Sequence, residues 1–147
     1  MNPNAVDILL VEDNPDDAEL TIRELRRHHI SNKLVHVRDG EEALHFLFGT
    51  GKYANEQVNY KVPKIILLDI QMPGISGMEV LKSIKSDDRT SAIPVIILTS
   101  SNQHPNIQVC YDLGANSYIV KPLNFERFSQ SIRNLGYHWL LLNQAPV

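Results

Sequence analysis

Five short, mostly apolar stretches alternate along the chain with segments of mixed polarity. These stretches are Ile8–Val11, Leu34–Val37, Ile65–Leu68, Val95–Leu98 and Ser117–Val120. Short apolar runs of this kind are typical of strands that helices cover on both faces of a sheet. The pattern therefore predicts a βαβαβαβαβα order, with right-handed crossovers and a parallel sheet.

The segments between the strands carry apolar residues at helical spacing. Asn14 and Pro15 are a good N-cap and first-turn residue, so the first helix is predicted from Pro15 to about His29. The other helices are predicted after Asp39-Gly40, after the turn at 73–77, over Pro105–Leu113 with Gly114 as C-cap, and around Phe125, Phe128 and Ile132. The inner faces assigned to the first three helices are Ala18, Ile22 and Leu25; Ala43, Leu44, Leu47 and Phe48; and Val80, Leu81 and Ile84.

Two segments do not fit this alternation. The domain is predicted to span residues 6–135, which includes the first of these segments and leaves the second as an extension. Gly49–Pro63 has neither a helical nor a strand period and is predicted to be an inserted surface loop. Long loops are often functional, but a tolerated insertion costs little in closure entropy, so both interpretations stay open. The extension 136–147 contains Tyr137–Leu142, which is too apolar for a free end. It is predicted to pack on this domain, on a partner or across a dimer contact.

Composition narrows the class of protein. The chain has 147 residues, 43% of them apolar, and a net charge of −3. Its basic residues are scattered, which argues against nucleic-acid binding, and its apolar runs are far shorter than the roughly 20 residues that cross a bilayer. No secretory signal is visible and the single cysteine, Cys110, is expected to pack in the core, so a cytoplasmic location is expected.

Polar residues follow four of the predicted strands. Glu12-Asp13 follows the first, Asp69 the third, Thr99 the fourth and Lys121-Pro122 the fifth. Parallel strands open their carboxyl ends on one edge of the sheet, where this class of fold binds ligands. Three carboxylates, a hydroxyl and an ammonium should therefore meet in one crevice. Such a group can hold a divalent cation beside a carboxylate that accepts a phosphoryl group.

This set of residues resembles the receiver domain of two-component response regulators, over roughly Val6–Leu135. The resemblance implies an α/β, flavodoxin-like fold: a doubly wound parallel sheet of five strands in the order 2-1-3-4-5, flanked by five helices. It also implies that Asp69 accepts a phosphoryl group from a sensor histidine kinase. In that family Mg²⁺ would be bound directly by Asp13, Asp69 and the backbone carbonyl of Gln71, and by Glu12 mainly through water.

The resemblance assigns further roles at the same edge. Lys121, ahead of a cis peptide bond to Pro122, would bind the phosphoryl oxygens, and the Thr99 hydroxyl would move inward to bind them too. Tyr118 would be the aromatic switch residue that follows Thr99. Gln71 and Ser101 would control how water reaches the acyl phosphate. The plainer alternatives are that Thr99 is only a strand former and Tyr118 a static core residue.

A narrower resemblance concerns the stretch Glu12–Asp17, the loop insertion and the aromatic extension. Together they resemble the single-domain regulators that serve bacterial and cyanobacterial phytochrome kinases. This implies a phytochrome kinase as partner and a homodimer, with no nucleic acid and no membrane among the partners.

Two other classes of function compete with the switch protein. Haloacid-dehalogenase-type phosphatases use a similar set but place a second Asp where this chain has Gln71, which cannot serve as an acid. A pseudo-receiver scaffold usually lacks an acid or the lysine, and this chain keeps both. A phosphoacceptor switch, rather than an enzyme with its own substrate, is therefore expected.

Overall fold

A computed structural model of the chain describes residues 6–28, 33–54, 62–72, 74–100 and 107–136. In these ranges five strands alternate with five helices. The strands are β1 (Ile8–Val11), β2 (Leu34–Val37), β3 (Ile65–Asp69), β4 (Val95–Thr99) and β5 (Ser117–Val120). The helices are α1 (Pro15–Arg27), α2 (Gly40–Phe48), α3 (Gly77–Ser86), α4 (Ile107–Asp112) and α5 (Phe125–Asn134).

All neighbouring strands are parallel and lie in the order β2-β1-β3-β4-β5. The predicted fold class is therefore confirmed. Val11 pairs with Leu68, and Thr99 pairs with Val120, so the carboxyl ends of β1, β3, β4 and β5 reach the same edge of the sheet. The residues that follow these strands are thereby brought together.

Each face of the sheet carries its own hydrophobic core, because successive side chains of a strand point to opposite faces. On one face Leu9, Ile66 and Ile97 pack with buried residues of α2 and α3 and with Cys110 of α4. On the other face Leu10 and Leu67 pack with buried residues of α1 and α5. Cys110 is thus a packing residue, as predicted.

The predicted inner face of α2 was partly wrong. It left out Phe46, which is buried, while Leu44 and Phe48 are half-buried and pack against the same core. The reason is tertiary: the segment after α2 folds back so that the Tyr53 ring covers Phe46. The start of α2 lies close against α3, where a Cβ atom at position 40 would come within 2.6 Å of Val80 Cγ2. The predicted inner face of α1 differs from the structure in the same way: Thr21 is buried, and Ile22 is half-buried.

The predicted loop contains a short 3₁₀ turn, Gly51–Tyr53, that the sequence pattern did not predict. The turn places the Tyr53 ring edge-on against Phe46, with centroids 5.2 Å apart, and the Tyr53 hydroxyl donates to Glu42 at 3.2 Å. This part of the loop therefore packs on α2. Most of the rest of the loop, the predicted start of α4 at Pro105 and nearly all of the extension 136–147 lie outside the described residues.

Within the described ranges, every helix is too short or too polar to cross a lipid bilayer.

Candidate functional site

Three acidic side chains meet at the carboxyl edge of the sheet. Glu12 and Asp13 follow β1 and Asp69 ends β3, and the pairing of Val11 with Leu68 sets these acids side by side. Each acid offers one oxygen to a group in which all these atoms lie within 4.8 Å of one another. Glu12 and Asp69 are buried, with 0% and 1% of their surface exposed. The convergence expected from the sequence is thus present in the fold.

The electrostatics of Asp69 follow from this crowding. Burial first, and then a hydrogen bond and charge repulsion from Glu12, raise the pKa of Asp69 to about 8. The Gln71 N–H, which donates to Asp69 Oδ1 at 3.0 Å, and the charge of Lys121 act in the opposite direction without overcoming the increase. The cluster therefore has more negative charge than its surroundings balance, which favours a bound cation.

The chemistry of the donors fits a hard divalent cation. Glu12, Asp13 and Asp69 offer carboxylate oxygens, the ligands that Mg²⁺ prefers, and Asp13 keeps the cluster partly open to solvent. An ion held by a few carboxylates in this way would retain several waters, which leaves room for a phosphoryl oxygen. The arrangement is that of an acidic pocket suited to Mg²⁺ or Mn²⁺.

A lysine lies beside the acids. Lys121 Nζ is 3.2 Å from Glu12 Oε1 and 3.6 Å from Asp69 Oδ2, and the side chain is 13% exposed. Burial acts to lower the pKa of Lys121, but the hydrogen bond to Asp17 and the charges of Asp69 and Glu12 outweigh it, so the pKa is raised. The ammonium is therefore firmly charged. The peptide bond from Lys121 to Pro122 is cis.

Asp17 is a residue of the site that the sequence interpretation missed. Its Oδ2 atom lies 2.9 Å from Lys121 Nζ, closer than either other carboxylate. Nothing in the sequence distinguishes Asp17 from Asp16, since both are acids in the first turn of a helix capped by Asn14. One signal could have pointed to this pair of acids. They lie in the helix turn that follows β1, and that turn is at the same edge of the sheet as Lys121.

Thr99 and Tyr118 occupy β4 and β5. Thr99 is fully buried at the end of β4, and its carbonyl accepts the Lys121 N–H at 2.7 Å, which ties the lysine's backbone to the neighbouring strand. Tyr118 is half-buried, and its ring meets that of Tyr111 from α4 edge-on, with centroids 6.0 Å apart. Tyr118 therefore has a packing partner on the outer face of α4.

The residues expected to control water access are only partly described. Gln71 is exposed beside Asp69, and its Oε1 atom accepts a hydrogen bond from the Ser100 hydroxyl at 3.0 Å. This bond joins the segment after β3 to the segment after β4. Ser101 lies outside the described residues.

Gly77 is a second position that the sequence interpretation missed as part of the site. It starts α3, and a Cβ atom there would overlap the backbone carbonyl oxygen of Asp69 and come within 2.6 Å of the Ile70 Cα atom. Only a residue without a side chain lets α3 begin this close to the end of β3.

The comparisons with known proteins identify a family for this chain. The model of the family "Response regulator receiver domain" matches residues 8–133. Among curated proteins, the response regulator Rcp1 of Synechocystis sp. (strain ATCC 27184 / PCC 6803 / Kazusa) is 35% identical over 146 residues, which cover 99% of this chain and 96% of Rcp1.

Solved structures give the same result. The bacteriophytochrome response regulator AtBRR is 42% identical with a TM-score of 0.82, and the match covers 92% of this chain and 95% of AtBRR. The Mn²⁺-bound form of Rcp1 is 33% identical with a TM-score of 0.72, covering 97% and 99% of the two chains. The phosphorylated cyanobacterial phytochrome response regulator RcpA is 37% identical with a TM-score of 0.73, also covering 97% and 99%. The chain therefore belongs to the response regulator receiver domain family.

Proposed function

We propose that this protein is a single-domain response regulator in which Asp69 accepts a phosphoryl group from a sensor histidine kinase in a Mg²⁺-dependent reaction. The observation that carries the proposal is the meeting of Asp69 with Glu12, Asp13 and Lys121 at one sheet edge, although 109 residues separate Glu12 from Lys121. Two carboxylates and an ammonium beside a third carboxylate are the parts that phosphoryl transfer to that carboxylate needs.

The transfer is a displacement at phosphorus. An ionised oxygen of Asp69 forms a bond to the phosphorus atom as the bond from phosphorus to the kinase histidine nitrogen breaks, and the imidazole leaves with that electron pair. Lys121 binds a phosphoryl oxygen, and the Thr99 hydroxyl binds another. Asp13, Asp69 and the Gln71 carbonyl would hold Mg²⁺, with Glu12 acting mainly through water, and the ion would offset the negative charge of the carboxylates and of the incoming group.

The ionisation state of Asp69 links the ion to the reaction. Asp69 can act as a nucleophile only when deprotonated, and its raised pKa keeps a proton on it over much of the neutral range in the metal-free protein. A cation in the pocket would favour the ionised form, since it is attracted to that form alone. That the similar protein Rcp1 has a Mn²⁺-bound form supports the proposal of a divalent ion for this chain.

The output is proposed to be a change of surface. In the phosphorylated protein Thr99 moves towards the phosphoryl group and Tyr118 turns inward, which alters the face formed by α4, β5 and α5. Tyr118 already lies at that face, against Tyr111. We propose that this face, together with the extension 136–147, forms a homodimer contact or a partner surface.

The partner is proposed to be a phytochrome histidine kinase in the cytoplasm. The support is that the related structures are those of a bacteriophytochrome response regulator and a cyanobacterial phytochrome response regulator, and that the matches span nearly the whole of both chains. A kinase of another sensor class remains the second candidate for the donor.

The experiment is transfer of labelled phosphoryl groups from a panel of purified histidine kinases, with phytochromes included, read alongside the molecular mass of the regulator. The wild type and Asp88→Asn, an exposed acid in the connection between α3 and β4, should accept the label, and Asp69→Asn should not. Label retained by Asp69→Asn, or no transfer to the wild type from any kinase or from acetyl phosphate, would contradict the proposal.

A further inference from the structure

The Lys121 ammonium is shared unequally among three carboxylates. Its nitrogen lies 2.9 Å from Asp17 Oδ2, 3.2 Å from Glu12 Oε1 and 3.6 Å from Asp69 Oδ2. The first two distances are hydrogen bonds, and the third is beyond hydrogen-bond length. The lysine is thus drawn towards α1 and away from the residue that we propose to be phosphorylated.

Asp17 reaches the lysine from the edge of the site. It belongs to the first turn of α1, and its side chain is 35% exposed. Its backbone N–H donates to Asn14 Oδ1 at 3.0 Å. Asp17 does not belong to the group of acids whose oxygens converge as a cation pocket. Its contact with the site therefore runs through Lys121.

A phosphoryl group on Asp69 would compete with Asp17 for the same ammonium. The group brings between one and two negative charges and three acceptor oxygens, and it stands next to the lysine. For Lys121 to bind it, the ammonium must share its N–H donors and its charge between Asp17 and the new oxygens. That sharing weakens the bond to Asp17, so the free energy of that bond opposes the phosphorylated state.

We propose that Asp17 is a positioning residue that restrains Lys121 in the unphosphorylated protein and so weakens the site's hold on the phosphoryl group. The inference rests on the proposed function, since it assigns a partner to the lysine of that same site. Loss of the Asp17 charge should favour the phosphorylated state roughly threefold to fivefold, the upper part of the range for a partly exposed ion pair.

The chain supplies a matched control in Asp16. Asp16 precedes Asp17 in the same helix turn, and its N–H also donates to Asn14 Oδ1. Its exposed side chain is not among the carboxylates that lie beside Lys121. Asp16→Asn and Asp17→Asn therefore make the same change in net charge and in helix-dipole interaction. Only Asp17→Asn removes the ion pair.

The test measures equilibrium and rate. Beryllium fluoride, a phosphoryl analogue, is titrated in the presence of Mg²⁺ by calorimetry, and labelling by acetyl phosphate is followed below saturation. Asp17→Asn should bind the analogue more tightly and label faster than the wild type, by the stated factor, while Asp16→Asn stays within twofold of it. In the Lys121→Gln background the Asp17→Asn change should lose its effect, which a merely structural role would not explain.

Other outcomes overturn the inference. If Asp17→Asn matches Asp16→Asn, or binds the analogue more weakly than the wild type, Asp17 does not compete for the lysine. An effect that persists without Lys121 likewise rules out the stated route. If the wild type itself neither labels nor binds the analogue, the proposed function has failed, which is a different result. Circular dichroism melts of each variant exclude loss of fold as the cause.

Discussion

The backbone of Gly77 lies directly against the carbonyl group of Asp69, so close that a Cβ atom at position 77 would overlap that oxygen. This contact sets how near the start of α3 comes to the end of β3. It also ties the backbone of the proposed phosphoacceptor to the packing of a helix. Adding a single methyl group at position 77 should therefore disturb the site, although it removes none of the acids.

Replacing Gly77 with alanine should destabilise the protein by about 1–3 kcal/mol, the usual cost of forcing a group into a packed position. It should also slow labelling by acetyl phosphate, because the strain is relieved by moving the Asp69 backbone. Urea unfolding and labelling rates check this. Lys82→Ala, an exposed change in the same helix, should stay within about 0.5 kcal/mol of the wild type. Equal stability of Gly77→Ala and the wild type would contradict the close contact.

The stability of the metal-free protein should depend on pH through Asp69. Its pKa is raised in the folded state from 3.8 to about 8, so the folded protein holds a proton that the unfolded chain has lost. The stabilisation from Asp69 is complete below about pH 3.8 and is lost as the pH rises through 8.

Asp69→Asn removes this titration. The free energy of unfolding of this variant should therefore rise relative to that of the wild type between about pH 4 and 8. Each unit of pKa shift corresponds to about 1.4 kcal/mol, so a gain of at least that size is expected at pH 8. Urea unfolding in the presence of a chelator measures it at several pH values. A difference in stability that does not change with pH would argue against a protonated Asp69.

Mg²⁺ should stabilise the wild type against unfolding, since the folded protein alone brings the acids together. At a concentration ten times the dissociation constant, the gain should be about 1.4 kcal/mol. Asp13→Asn should lose most of this gain, because Asp13 is one of the three acids whose oxygens converge. Thermal melts with and without Mg²⁺ check the prediction, with Asp88→Asn as the control. Equal stabilisation of Asp13→Asn and the wild type would place the ion elsewhere.

Glu24 should contribute to the start of α5. Its Oε2 atom accepts the Phe125 N–H at 2.8 Å, and the ring of His28, one helix turn further along, stacks on Phe125 with centroids 3.9 Å apart. Glu24→Ala leaves that N–H without its partner and should cost about 1 kcal/mol. Glu19→Ala, which removes an exposed acid of the same helix, should cost clearly less. Urea unfolding of both variants would test this, and equal losses would contradict a specific role for Glu24.

The boundaries of the elements differ in how far the sequence could predict them. β1, β2 and β5 have the predicted bounds, because each is a short run whose ends are marked by polar or turn residues. β3 and β4 extend one residue further, to Asp69 and Thr99. Those polar residues belong to the ladder, as their backbone groups pair with the neighbouring strand whatever their side chains do.

The site shows the same division. The chain order of Glu12-Asp13, Asp69, Thr99 and Lys121 at the ends of strands was enough to predict that they meet, because parallel strands share one edge. The third carboxylate on Lys121 was not predictable from spacing. Asp16 and Asp17 are identical residues in one helix turn, and only the way α1 packs on the sheet decides which of them faces the lysine.

The sequence by itself determined the alternation of strands and helices, the parallel sheet and the set of acids at its edge, since these depend on local periodicity and on the handedness of crossovers. The tertiary structure alone decided which face of α2 is buried, how closely Gly77 approaches Asp69 and which carboxylate holds Lys121. These features are differences of an ångström or a fraction of a helix turn. They are fixed by the packing of side chains that lie far apart along the chain, which no local pattern contains.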